Sequence, residues 1–177
     1  MSYKLISHGL TLIVGSIVAY LISPLTFLVF LLIWIDAMLI AHIAGLKQIG
    51  FELVTLAGLI GGLALGPIGG FFFSLLGLPL ILSVLNSMHY KTLFPIYPNL
   101  NFVAIAIAAG IAGALLSPTF FIIAVVIALL FRHIVGAVID FVVSGGFTSL
   151  IFGIINILFS LGFIYFLRII GLLGLIV

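Results

Sequence analysis

Three polar residues stand where an apolar chain tolerates them least. Asp36 lies in Leu32-Ile33-Trp34-Ile35-Asp36-Ala37-Met38-Leu39, Asp140 in Val135-Gly136-Ala137-Val138-Ile139-Asp140-Phe141-Val142, and Asn156 in Ile154-Ile155-Asn156-Ile157-Leu158. A charged group at bilayer depth costs at least about 2.5 kcal/mol, so it faces the protein interior or pairs with another polar group. Two kinds of chemistry fit these positions. Each residue could hold a small solute or pass a proton, or it could clasp two helices by hydrogen bonds. For Asn156 the clasp is the stronger reading. His133 precedes Asp140 by seven residues, which places both on one face of a regular helix. Arg132 reaches Asp140 only through a bend. His42 follows Asp36 by six residues, about 120° around the helix, and is poorly placed to pair with it.

Other chemistry is missing from the sequence. There is no cysteine, which removes thiolate ligands and catalytic thiols. The four histidines form no HxxH or HExxH set. No Ser-His-Asp or phosphate-loop pattern is present. Hence no catalytic residue, metal ligand or cofactor is assigned, and the chain does not read as an enzyme.

The elements that must position these residues follow from composition. Of 177 residues, 66% are hydrophobic and 5% charged, where a soluble domain carries about 25% charged residues. Five cations and three anions cannot cover a water-facing surface. A soluble domain, a disordered chain and a nucleic-acid-binding surface are therefore excluded. The protein is integral to a membrane, with lipid as its first partner. Runs such as Phe27-Leu28-Val29-Phe30-Leu31-Leu32-Ile33 do not alternate as barrel strands do. The fold class is all-α, a polytopic transmembrane helical bundle in one domain over 1–177.

Polar residues and prolines cut that bundle into about six spans, expected at 5–22, 25–46, 52–66, 68–88, 102–131 and 146–168. Ser23-Pro24 and Gly66-Pro67 mark turns, because proline disfavours helical geometry in the residue before it. Ser117-Pro118 is taken as a kink within one long span. The first span reads as retained, not as a cleaved leader. Placing Lys4, Lys47, Lys91 and Arg168 on the cytoplasmic side leaves only Arg132 outside. Both termini are then cytoplasmic, and the expected location is the cell membrane. Glu52 opens the third span, where a negative charge suits a helix N-terminus.

Glycines supply the packing signal. Gly58, Gly62, Gly66 and Gly70 recur every four residues, with Pro67 breaking the ladder across a turn. Small residues at this spacing let helix backbones approach closely in lipid. Ala106, Gly110 and Ala114 form a second such face, and Gly15 with Ala19 a third. Gly15, Ala19, Gly58, Gly62 and Gly66 are candidates for packing within the bundle or against a partner subunit. A faint repeat relates Leu21-Ile22-Ser23-Pro24-Leu25 to Leu115-Leu116-Ser117-Pro118-Thr119, a likeness that low complexity alone would produce.

The stretch from Ala57 to Phe72, with Gly66-Pro67 and the following Gly69-Gly70 at the junction of two early spans, resembles the substrate-binding S components of energy-coupling-factor transporters. Those are small six-helix membrane proteins, and a polar residue in the last span, like Asn156, is a further similarity. Gly15-Ser16-Ile17-Val18-Ala19 loosely matches the surface by which their first helix meets a coupling subunit. The resemblance implies a component that binds a small solute, here through Asp36, Asn156 and Asp140, and works with partner subunits. The alternative is a non-catalytic structural or proton-linked subunit of a larger assembly, such as a respiratory or oxidase complex.

Overall fold

The computed structural model describes residues 3–38, 43, 50–90, 100–115, 121–145 and 148–172. Apart from short connections such as Gly50 to Leu53, these segments are helical: α1 (Tyr3–Ile22), α2 (Pro24–Met38), α3 (Val54–Phe72), a π-helical turn (Phe73–Gly77), α4 (Leu78–Tyr90), α5 (Leu100–Ala114), α6 (Phe121–Ser144) and α7 (Thr148–Ile169). By length and composition alone, three helical stretches, Val54–Leu85, Ile122–Val143 and Phe152–Ile169, are apolar enough to cross a membrane, and the first of them reverses direction at Gly66. Large apolar side chains remain exposed along them and along α1, Leu21, Ile68 and Val142 among them. A surface of that kind is suited to lipid.

The expected turns form, each for a local reason. Ser23 separates α1 from α2. Its amide closes α1 on the Ala19 carbonyl, and its Oγ accepts the Thr26 amide at 3.0 Å. Serine at the N-cap with proline at the first helical position is a favoured helix start. The two helices fold against each other, so that Gly15 lies under the Phe30 ring and buried Ala19 faces inward. At Gly66 the backbone adopts φ 73° and ψ 179°, a region open essentially to glycine alone. The chain doubles back there, bringing Gly70 onto the Gly62 backbone.

The glycine ladder is consumed inside the chain. Gly58 faces Ile105, Gly62 faces the Ala109 carbonyl, and Gly113 packs on Gly66 and Pro67. The partner advances four residues for every four along α3, so α3 and α5 run parallel at close range. Gly110 of α5 meets the Pro67 carbonyl, which wedges α5 against both arms of the α3 turn. The apolar core gathers around this pair, with Leu28, Leu32 and Ile33 from α2, Leu56, Leu59 and Ile60 from α3, and Val125 and Leu129 from α6.

One expected span is corrected. Residues 102–131 do not form a single helix: α5 closes at Ala114, and α6 runs from Phe121 through Arg132 and His133 to Ser144. Arg132 and His133 lie within α6, where Glu52 and Asn156 meet their side chains. Residues 39–42, Lys47, Gln48, Lys91 and Ser117-Pro118 lie outside the described residues.

The close approach at Gly62 makes a sharp prediction. A Cβ there would collide with backbone, which cannot step aside as a side chain can. Gly62→Val should cost about 1–3 kcal/mol or prevent folding. Gly9→Ala, with nothing within 4 Å of its added carbon, should melt at or slightly above the wild-type temperature. Thermal melting in detergent compares them, and equal stability of Gly62→Val would refute the parallel packing.

Candidate functional site

The polar residues converge on a short strap, Gly50 to Leu53, that leads into α3. Three helices hold it. From α2, Asp36 is fully buried, and its Oδ1 accepts the Leu53 amide at 2.7 Å. That amide lies at the start of α3, where the first N–H groups lack partners within the helix. Asp36 thus caps a neighbouring helix through its side-chain oxygen. From α7, the Asn156 amide nitrogen donates to the Gly50 carbonyl at 3.0 Å and the Glu52 carbonyl at 3.2 Å. From α6, Arg132 Nη2 donates to Glu52 Oε1 at 3.1 Å. Thr55 Oγ1 donates to the same oxygen at 2.6 Å.

Hydrogen-bond roles can be assigned along the whole chain of contacts. Arg132 Nη1 lies 2.8 Å from His133 Nδ1, and His133 Nε2 lies 3.0 Å from Asn156 Oδ1. A guanidinium only donates, so Nδ1 accepts and the ring proton sits on Nε2. Nε2 then donates to Asn156 Oδ1, which leaves the amide nitrogen free to donate to the two strap carbonyls. The imidazole is neutral in this arrangement. Every polar atom of Asn156 is used, which is what a fully buried amide needs.

Glycine and aromatic residues shape the surroundings. Gly50 has φ 101°, and a Cβ there would sit 2.5 Å from the Phe152 carbonyl oxygen and 3.1 Å from the Asn156 nitrogen. Only glycine allows the strap to lie this close to α7. A Cβ at Gly153 would come within 3.0–3.1 Å of His133 ring atoms, so that glycine makes room for the imidazole. The Arg132 guanidinium lies 5.5 Å from the centre of the Phe152 ring, a cation–π distance. Phe51 of the strap meets Phe159 of α7 at 4.8 Å between ring centres.

Asp36 and Asn156, anticipated from the sequence, therefore act on the same strap. Asp140 does not join them. It is half-buried, about 10 Å further along α6 than His133, and both His133 nitrogens are directed elsewhere. Gly15, Ala19, Gly58, Gly62 and Gly66 all sit in the helix turns and packing described above, away from the strap. Sequence reasoning missed Gly50, Leu53, the Glu52–Arg132 pair and the His133–Asn156 bond. A signal for the pair was present: with three acidic residues in the chain, a buried arginine has few available counter-charges.

Comparison with known proteins supplies no further assignment: no family model, curated protein or solved structure matches the chain.

Replacement of the clasp residues separates their roles. Asn156→Leu leaves the His133 N–H and two strap carbonyls buried without partners, at about 1–3 kcal/mol each. Its stability should fall by about 3 kcal/mol or more in detergent unfolding. Asp36→Asn retains an acceptor for the Leu53 amide and should fold, whereas Asp36→Leu should lose about 1–3 kcal/mol. Equal stability of Asn156→Leu and wild type would show that the strap is not held by α7.

Proposed function

We propose that the chain is a polytopic membrane transport component that binds a small solute in its interior and works with partner subunits. The observation that carries this reading is the convergence of charged and amide groups from α6, α7 and the strap on the protein interior. Ionisable residues at membrane depth are costly and mark solute or ion pathways far more often than bulk packing sites. Arg132 lies near the middle of α6 and is only 4% exposed. It is oriented by His133 and Phe152, and its counter-charge comes from a strap and not from a neighbouring turn of its own helix.

The resemblance of the Gly66-Pro67 region to S components of energy-coupling-factor transporters supports the same reading. A proton-linked subunit is less well supported. The hydrogen-bonded chain passes from His133 through the Asn156 amide to two backbone carbonyls, and neither amide nor carbonyl relays a proton at ordinary pH.

The test is purification from the native membrane in mild detergent, followed by native mass spectrometry. The proposal expects a small solute released from the wild-type protein and an energy-coupling ATPase among the co-purifying chains. Recovery with redox subunits and without any bound solute would contradict it.

A further inference from the structure

The donors of Arg132 are unevenly used. Nη1 is engaged by His133 and Nη2 by Glu52, while Nε is buried with no hydrogen-bond partner among the described residues. Nε and Nη2 lie on one edge of the guanidinium, spaced to meet the two oxygens of a carboxylate. Glu52 does not meet that edge in this way. Both of its side-chain contacts among the described residues fall on Oε1, at 2.6 Å to Thr55 and at 3.1 Å to Arg132. The second distance is long for a charge-assisted bond, which runs to about 2.7–2.9 Å. Glu52 is also the more exposed member of the pair, at 17% against 5% for Arg132.

The guanidinium itself is fixed. His133 holds its far edge, Phe152 lies by its face, and His133 is in turn locked by Asn156. A rigid cation with a half-used fork, opposed by a carboxylate bound through one oxygen, is arranged for exchange. We propose that the Nε–Nη2 edge of Arg132 binds the carboxylate of a small, largely apolar organic acid, with Glu52 as the group it displaces. The inference rests on the transport reading and names its class of solute.

Two features favour a monocarboxylate over phosphate. Arg132 is the only cation among the described residues of the cluster, and Asp36 already places a second carboxyl group on the strap, at the Leu53 amide. A dianion would bring more negative charge than one guanidinium can offset. Phe152 and the apolar helices around Arg132 suit a hydrocarbon or aromatic body, with polarity confined to the carboxylate.

The experiment is equilibrium binding of radiolabelled benzoate to the purified full-length chain, with benzamide as a neutral probe of the same shape and inorganic phosphate as competitor. Benzoate should bind saturably, with benzamide at least about tenfold weaker and phosphate failing to compete. Glu52→Gln should tighten benzoate about tenfold by removing the competing charge. Thr55→Val, which loosens Glu52 without touching the arginine, should tighten it by a smaller factor. Arg132→Lys should weaken it by more than about tenfold, because an ammonium cannot present the two-pronged edge. Equal binding of benzamide and benzoate would overturn the proposal, as would no tightening in folded Glu52→Gln and Thr55→Val proteins. If neither probe binds to protein that still carries a co-purified solute, the carboxylate assignment fails and the transport reading stands. If neither probe nor solute is found, both fail.

Discussion

A guanidinium halfway along an apolar helix sets the terms for the rest of this structure. A guanidinium is a charged, donor-only group, and Arg132 is nearly closed off from its surroundings. Its charge must therefore be met by groups carried to it, and three separate parts of the chain contribute. Glu52 supplies the counter-charge, His133 an acceptor and Phe152 an aromatic face. Each of these needs a support of its own. Glu52 sits on a strap that is pinned by Asp36 and Asn156, and His133 is held in one tautomer by Asn156. Asn156 is the point where the two branches meet.

The helices make this possible by packing unusually close elsewhere. The strap enters α3 at Leu53, so its position depends on where α3 lies. That is fixed by the parallel contact with α5, in which Gly62 and Gly113 admit backbone against backbone. The reversal at Gly66 then returns the chain along the same groove. Small residues carry the packing while the polar groups carry orientation. In a lipid setting, where apolar burial gives little net drive between helices, both contributions are needed.

Much of the fold was legible in the residues. Ser23-Pro24 and Gly66-Pro67 announced turns through proline geometry, and the four-residue glycine period announced a close helix contact. The division of 102–131 was harder to read, because length alone had to decide whether Ser117-Pro118 kinked a span or ended one. Arg132-His133 then looked like the polar edge of a helix, when it belongs to the middle of one. The site was half legible. Asp36 and Asn156 stood out because they are polar in apolar runs, and that local contrast is what a sequence displays. Glu52, Arg132 and Gly50 lay next to apparent boundaries, where charge and glycine are ordinary. Their roles depend on contacts between segments some 80 to 106 residues apart, which no local pattern encodes.

The central claim is that Arg132 and Glu52 form one coupled unit. A double-mutant cycle tests it most directly, with unfolding free energies measured in mixed micelles for Arg132→Met, Glu52→Leu and the double variant. Removing Glu52 leaves Arg132 buried and uncompensated, at about 3–5 kcal/mol, whereas removing both relieves that penalty. The account predicts that the double variant is far more stable than the sum of the single losses implies. Losses that add to within about 0.5 kcal/mol, as for independent sites, would contradict it.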